Sequence, residues 1–271
     1  MIFSAFPNGV SMLSKAIVPT VINDIDDFFT LQPFLTTALW YNVLNFSVAK
    51  VADNFVLMGY GIICVILYSM LLQIHPDNPQ PRLIKQVVEC LLDGGVIAYP
   101  TDTIYGLGCD IFKPKAIEKI CRIKGVDPAK VQLSFICRDL SNMSDYSKPI
   151  DTPLYRMLKS YLPGPYTFIL PASKQVPKIL QSKKSTIGLR VPDNEICRHL
   201  LDELGHPLLS TSFPGEMVED YTDPEIIQER MGQLVDFVID GGIGGMVPST
   251  IVDCTASDWV VTRQGLGKWE E

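Results

Sequence analysis

Histidine is scarce in this chain, and closely spaced cysteine pairs are absent. The three histidines are His75, His199 and His206, and no two of them lie four residues apart, which disfavours a zinc site built from histidines. Seven cysteines occur without a C-x-x-C pair, and their odd number argues against a disulfide framework and for a reducing compartment. We therefore expect a cytoplasmic protein without a resident metal site, in which magnesium arrives with a phosphate-bearing substrate.

The first 69 residues are poor in basic residues. They contain no arginine, two lysines and four acidic residues, a composition that speaks against an organelle transit peptide, and no compact secretory signal opens the chain. Residues 55–72 are eighteen in a row without a charge, which is the lower limit for a membrane span. Gly59, Gly61 and the lack of basic flanking residues weigh against a span.

Three interpretations of residues 1–69 stay open. We favour an extension outside the folded domain, such as a start-site extension, because Met70 could itself initiate the chain. A single-span anchor at residues 55–72 comes second, and a helical domain third. The predicted organisation is therefore an extension at residues 1–69 and one folded domain at residues 70–271.

Charge is distributed unevenly over the rest of the chain. Residues 113–190 contain 15 Lys+Arg against 5 Asp+Glu, whereas residues 191–271 contain 4 against 16. Most charge runs only solvate a folded surface. The alternative is a basic surface that binds phosphates, including those of RNA.

Apolar segments of strand and helix periodicity alternate from residue 70 onward, which predicts a single α/β domain. A short strand pattern begins at Met70. The other predicted strands are 96–99, 133–137, 166–170, 187–191, 208–211, 237–240, 250–253 and 259–263. The predicted helices are 82–93, 116–124, 153–161, 194–204 and 224–231.

Hydroxyl-bearing residues follow several of these strands. The first group is Thr101-Asp-Thr103, which precedes Gly106 and Gly108. Ligands bind at strand ends in α/β sheets, but a capped turn explains such a stretch equally well when it is taken alone. The motif is neither a P-loop nor a dinucleotide-binding fingerprint, because it lacks the third glycine and the G-K-[ST] sequence.

Four other stretches have the same character. Thr186 and Arg190 are four residues apart and therefore lie on one face of a strand, and Arg190 stands among apolar residues, so its guanidinium needs an anionic partner from the protein or a ligand. The remaining stretches contain Ser210 to Ser212, the glycine-rich loop before Ser249 and Thr250, and Arg263. No general-base histidine or nucleophile-base pair accompanies them, so the set favours binding an amino acid and a nucleotide over hydrolysis.

Several motifs in order resemble the YrdC-type family, the threonylcarbamoyl-AMP synthases. They are YPTDTIYGLG, PGPYTFIL at 163–170, IGLRVP at 187–192, IDGG at 239–242 and PSTIVD at 248–253. The stretches CRDLS at 137–141 and LLSTS at 208–212 resemble the YciO-like branch. The resemblance implies a YrdC-like domain: a twisted mixed sheet, flanked by helices, around a basic concave site.

The resemblance also implies an activity and its substrates. ATP, L-threonine and bicarbonate would give threonylcarbamoyl-AMP and pyrophosphate. The threonylcarbamoyl-AMP would then be used by partner proteins to modify a tRNA adenosine. Position by position, Thr103, Arg190, Ser210 and Ser249 would contact threonine. Lys124, Thr186, Ser212 and Arg263 would contact the nucleotide, with Lys124 also catalytic.

The chain departs from the family pattern at three positions. The K-x-R motif reads Lys124-Gly-Val126, the histidine expected on the next strand is missing near residues 135–137, and the S-x-N motif reads Ser212-Phe-Pro214. These losses weaken the expectation of synthase activity. The alternatives are a non-catalytic module that binds a nucleotide or double-stranded RNA, and an adenylation that uses another amino acid.

Overall fold

The fold is that of the C-terminal three quarters of the chain. The computed structural model describes residues 70–126, 133–177, 180, 185–214, 217–256 and 258–270. The predicted extension at residues 1–69 lies outside the described residues. Residues 70–72 of the proposed membrane segment belong to the first strand instead, and no helix in the described ranges is both long and apolar enough to cross a bilayer.

Strands and helices interleave along this domain. The ten strands in the described ranges are β1 (Met70–Gln73), β2 (Val96–Tyr99), β3 (Gly106–Asp110), β4 (Ser134–Ile136), β5 (Tyr166–Pro171), β6 (Thr186–Arg190), β7 (Leu208–Ser212), β8 (Phe237–Asp240), β9 (Thr250–Asp253) and β10 (Val260–Arg263). The six α-helices are α1 (Pro81–Leu92), α2 (Pro114–Ile123), α3 (Leu140–Tyr146), α4 (Thr152–Tyr161), α5 (Glu195–Leu204) and α6 (Pro224–Met231). A 3-10 turn covers Val218–Tyr221.

All ten strands join one mixed sheet in the order β1-β8-β2-β3-β7-β4-β6-β5-β9-β10. The pairs β1-β8, β8-β2, β4-β6 and β5-β9 are parallel, and the other five pairs are antiparallel. The expectation of an α/β domain built on a mixed sheet is confirmed.

Helices α1 and α5 cover part of one face of this sheet. Each presents an apolar stripe, which in α1 comprises Ile84, Val87, Val88 and Leu91. Proline at the start of α1 needs no hydrogen-bond partner there, and Gly205 ends α5 with φ of 77°, a conformation that favours glycine. These stripes pack on apolar residues of the sheet, which include Ile136 on β4 and Leu208 on β7.

The opposite face of the sheet holds the larger core. Helices α2, α3, α4 and α6 contribute buried apolar residues to it. Helix α3 was not anticipated from the sequence, since its residues Leu140–Tyr146 include few strong helix formers. It forms because the Asp139 carboxylate accepts a hydrogen bond from the Asn142 amide at 2.8 Å, and because Met143 and Tyr146 are buried.

Gly106 and Gly108 do not belong to a ligand loop, contrary to the sequence-based interpretation, because both lie inside strand β3. Their function is steric. A Cβ atom at Gly108 would lie 2.8 Å from Cε1 of Tyr99 and 2.9 Å from Cδ2 of Leu208, and one at Gly106 would lie 3.3 Å from Tyr99. Strand β3 therefore carries glycines so that the Tyr99 ring can lie across it.

This packing predicts a graded loss of stability. Gly108→Ala should lower the free energy of unfolding by about 1–3 kcal/mol, the usual cost of overpacking a core, and Gly106→Ala should cost less because its contacts are longer. Urea denaturation monitored by circular dichroism measures both variants. An equal or larger loss at Gly106 would contradict this account.

Candidate functional site

Four of the predicted site residues lie on one face of the sheet: Thr186, Arg190, Ser210 and Ser212. Ser210 pairs with Ser134, and Ser134 pairs with Gly188, so these three positions share a face. Alternation along the strands places Tyr99, Thr167, Thr186, Arg190 and Ser212 on the same side. We call this surface the site face.

Gly188 forms the floor between the two ends of the site face. It lies on β6 between Thr186 and Arg190, and an added Cβ would approach Ser134 at 3.2 Å and Thr167 at 3.4 Å. Because Gly188 has no side chain, Ser134 and Thr167 can pack closely against β6 at this point. One end of the site face is marked by Arg190, and the other by Thr186 and Ser212.

Arg190 is the central cation of the first end. It is 8% exposed, and its Nη2 donates to Thr103 Oγ1 at 2.7 Å and to Thr101 Oγ1 at 3.3 Å. The same nitrogen contacts the Asp102 carboxylate in an ion pair. The anionic partner expected for Arg190 is thus provided by the protein itself, from the loop after β2.

Two atoms of this ion pair lack partners. Nε of Arg190 and Oδ2 of Asp102 are buried and accept or donate no hydrogen bond among the described residues. Both side chains are about nine-tenths buried, with 10% and 9% of their surfaces exposed. A buried polar atom without a partner is rare, and a ligand group is one explanation for it.

Arg263 and Ser249 stand beside Arg190. Arg263 donates to the Ser249 carbonyl through Nε at 3.1 Å and through Nη2 at 2.7 Å, and Nη2 also reaches Ser249 Oγ at 3.2 Å. Thr167 shares a hydrogen bond of 2.9 Å with the Ser249 hydroxyl. Burial lowers the pKa of Arg263, and the charge of Arg190 lowers that pKa further, so the two guanidinium groups repel each other across the site face.

Ser210 is oriented by Tyr99. The Tyr99 hydroxyl donates to Ser210 Oγ at 2.5 Å, and burial raises the pKa of this phenol well above its usual range. Ser210 Oγ therefore acts as an acceptor toward Tyr99, which leaves its proton to be donated elsewhere on the site face.

Lys124 and Ser212 mark the second end. Lys124, which follows α2, donates from Nζ to the Ser212 carbonyl at 2.8 Å and to Ser212 Oγ at 3.4 Å. Burial lowers the pKa of the Lys124 amine. Thr186 lies at the same end of the site face as Ser212. It is two residues before Gly188 on β6, and Ser212 is two residues after Ser210 on β7, because these two strands run in opposite directions.

The glycine-rich loop at residues 241–245 holds the Thr101-Asp-Thr103 loop in place. The Gly245 amide donates to the Thr103 carbonyl at 2.6 Å, and a Cβ at Gly245 would lie 2.5 Å from that oxygen. The Tyr105 hydroxyl donates to the Gly242 carbonyl at 2.8 Å. The loop that carries Asp102 and Thr103 is therefore fixed from two sides.

The structure brings the sequence-predicted residues into two groups. Thr103, Arg190, Ser249 and Arg263 lie at one end and Lys124, Thr186 and Ser212 at the other, with Ser210 between them. Arg263 thus stands with the predicted threonine residues and not with Lys124. Their roles toward threonine and ATP stay predictions.

Sequence reasoning assigned no role to Tyr99, Asp102 or Thr167. The sequence signal for Tyr99 is the pair Gly106 and Gly108, but glycines at this spacing are equally typical of a turn. Asp102 and Thr167 could be identified only through their contacts with Arg190 and Ser249, because those partners lie far away in the sequence.

The three departures from the family pattern occupy different environments. Val126 is 38% exposed just after Lys124, and Cys137 is fully buried. Burial raises the pKa of the Cys137 thiol far above its usual range, so this cysteine cannot replace a histidine as an acid or base. Pro214 is half-buried after β7.

Comparisons with known proteins agree with this geometry. The family model described as "Telomere recombination" (Sua5_yciO_yrdC) matches residues 89–265. The uncharacterized protein YciO of Escherichia coli (strain K12) is 48% identical over 202 residues, which is 73% of this chain and 97% of that protein. A threonylcarbamoyl-AMP synthase of Coxiella burnetii is 33% identical over 161 residues, which is 59% of this chain and 86% of the relative.

Solved structures give the same result. The crystal structure of E. coli YciO superposes with a TM-score of 0.70 at 47% identity, covering 74% of this chain and 97% of that one. The structure of P. abyssi Sua5 complexed with L-threonine gives a TM-score of 0.65 at 25% identity and covers 73% of this chain and 58% of that one. The family-model match, these relatives and the ten-stranded mixed sheet together show that the chain belongs to the Sua5/YciO/YrdC family.

Proposed function

We propose that this protein binds L-threonine and ATP on the site face and, with bicarbonate, makes threonylcarbamoyl-AMP and pyrophosphate. The observation that carries the proposal is the cluster of polar side chains around two arginines. Arg190 donates to Thr103, and Arg263 donates to Ser249, whose hydroxyl shares a hydrogen bond with Thr167. Asp102 is the carboxylate that contacts Arg190 there. Two neighbouring guanidinium groups and one carboxylate carry a net positive charge, which favours the binding of a further anion.

At the arginine end, the anion is the carboxylate of threonine. Arg190 presents a planar fork that suits a carboxylate, while Thr103 and Ser249 supply hydroxyls within hydrogen-bond distance of the two arginines. Ser210 accepts the hydrogen bond of the Tyr99 hydroxyl, so its own hydroxyl proton is free to be donated to the substrate. These residues orient the amino acid and exclude water from its carboxylate.

At the lysine end, the anion is the triphosphate of ATP. Lys124, Ser212 and Thr186 provide a cation and two hydroxyls for phosphate and ribose oxygens. The described residues contain no group of three or more His, Cys, Asp or Glu side chains that could hold a metal ion. In the proposed reaction, magnesium enters the site bound to the phosphates of ATP.

The reaction needs positioning more than acid-base chemistry. The threonine amine and bicarbonate form a carbamate with loss of water, and the ammonium proton leaves to solvent. A carbamate oxygen then attacks the α-phosphorus, a new P–O bond forms, and the P–O bond to pyrophosphate breaks. Lys124 and Arg263 would offset the charge that builds up during this step.

Relatives support the substrate assignment. The C. burnetii relative is named threonylcarbamoyl-AMP synthase, and the P. abyssi Sua5 structure contains L-threonine. We extend these properties to this chain, and with them a cytoplasmic role in tRNA modification. The excess of basic residues at positions 113–190 would serve contact with RNA.

A pyrophosphate-release assay on the full chain tests the proposal. With ATP and bicarbonate present, pyrophosphate should appear only when L-threonine is added, and Arg190→Lys should lower kcat/KM for threonine by about a hundredfold, because lysine cannot form the planar fork. Arg198→Lys is the matched control, since Arg198 is exposed and pairs with Glu195 on α5. Release without threonine, or equal effects of the two variants, would contradict the proposal.

A second candidate function is nucleotide or double-stranded RNA binding without turnover. It is favoured by the missing arginine at Val126, beside the Lys124 that would contact phosphate. Removing one phosphate-directed cation commonly costs about a hundredfold to a thousandfold in rate. Restoring a positive charge at residue 126 distinguishes the two candidates, because only a synthase would respond with faster turnover.

Val126→Arg should raise the rate of pyrophosphate release about tenfold or more, because Val126 is exposed and two residues from Lys124. Steady-state kinetics with ATP, threonine and bicarbonate measure the gain. Val126→Gln is the control of similar length without charge. If neither variant turns over while ATP still binds, the binding module is the better description.

The partly buried side chain of Lys124 predicts a pH dependence of ATP binding. Since burial lowers the pKa of its amine, Lys124 loses its proton at a lower pH than an exposed lysine, whose pKa is about 10.4. ATP affinity should therefore fall as pH rises through that lowered pKa. Lys124→Arg should keep the affinity constant over the same range, as measured by calorimetric titration; an identical fall in this variant would assign the effect to another group.

A further inference from the structure

The Asp102-Arg190 pair keeps one buried acceptor and one buried donor free of hydrogen bonds within the described part of the chain. Nη2 of Arg190 already contacts Thr101, Asp102 and Thr103. The Thr101 hydroxyl donates to the Ile104 carbonyl at 2.7 Å, so its proton is not available to Asp102. Among the residues that the structure describes, Oδ2 of Asp102 and Nε of Arg190 have no hydrogen-bond partner.

The unused atoms are complementary to a zwitterion. An α-amino acid has a cationic ammonium and an anionic carboxylate on neighbouring carbons, and Asp102 and Arg190 are a contacting anion and cation. When the two pairs meet, each charge faces two opposite charges, and the group of four is neutral. A neutral group that satisfies the buried acceptor and donor is cheaper to desolvate than a lone anion.

We infer that Asp102 accepts the ammonium of the amino-acid substrate through Oδ2 and so makes the site selective for α-amino acids over 2-hydroxy acids. This inference rests on the proposed function and adds a residue to it. Arg190 binds the carboxylate that both classes of acid share. A hydroxyl in place of the ammonium brings no positive charge to Asp102, while the carboxylate of the hydroxy acid still competes with Asp102 for Arg190. A site built for a charged donor therefore discriminates against the hydroxy acid.

The assignment has a consequence for the next step. Carbamoylation converts the ammonium into a neutral nitrogen that bears an anionic carbamate. Asp102 then repels the new anion instead of binding the old cation. The carbamate is therefore directed away from Asp102 and toward the remaining cations, Arg263 and Lys124, where the proposal locates the phosphates.

Calorimetric titration of the full chain with two ligands tests the role of Asp102. The probes are L-threonine and the corresponding 2,3-dihydroxybutanoate, which has a hydroxyl in place of the ammonium. The wild-type protein should bind threonine at least about a hundredfold more tightly than the hydroxy acid. Asp102→Asn should weaken threonine binding about tenfold to a hundredfold and leave the hydroxy acid unchanged or bound more tightly, which removes the selectivity.

The selectivity ratio separates this role from a purely structural one. If Asp102 only holds Arg190 in place, Asp102→Asn weakens both ligands equally, because both use Arg190. That result, or the absence of selectivity in the wild type, would overturn the inference. Asp258→Asn is the matched control, because Asp258 is exposed in the turn between β9 and β10, at the end of that hairpin remote from Ser249; thermal unfolding of each variant reports its folding.

The result also distinguishes the inference from the proposed function. Asp102-dependent selectivity without pyrophosphate release would support the ammonium contact and reject synthase activity. Threonine-dependent pyrophosphate release with a selectivity that Asp102→Asn does not change would support the synthase and reject the contact. Failure to bind either ligand would reject both.

Discussion

The buried ion pair between Arg190 and Asp102 is the interaction on which the site depends. Arg190 ends β6 and Asp102 follows β2, so the pair joins two strands that are separated in the sheet by β3, β7 and β4. Its cost of desolvation is offset only with further hydrogen bonds, which Thr101 and Thr103 provide. Removing one partner of such a pair commonly costs about 3–5 kcal/mol, so the geometry of the arginine end and the stability of the fold are energetically linked.

Glycines make this arrangement possible at three levels. Gly108 lets the Tyr99 ring cross β3 and reach Ser210, Gly188 lets Ser134 and Thr167 pack closely beside Arg190, and Gly245 lets its own loop approach the Thr103 carbonyl. None of the three is needed for a left-handed conformation, since positive φ among the described glycines occurs elsewhere. Close approach of side chains and backbone is the reason for each.

Most helices and strands of the domain could be predicted from the sequence, and so could the shared face of Thr186 and Arg190 on β6, because both follow from short-range periodicity. Thr186 and Arg190 share a face because four residues separate them, and Arg190 was expected to need an anion. The identity of that anion could not be predicted, since Asp102 is 88 residues away. Gly106 and Gly108 were misassigned for the same reason: their constraint is a ring on a neighbouring strand, and glycine pairs are more typical of turns.

The geometry separates what this chain retains from what it has lost. The arginine end has two guanidinium groups, four hydroxyls and a loop fixed by Gly245. The lysine end keeps Lys124 and Ser212 but has valine where the family pattern has arginine. In the proposed reaction, the first end would bind the amino acid and the second would stabilise the leaving pyrophosphate. Under that proposal, the losses would lower the rate of transfer more than the affinity for the amino acid.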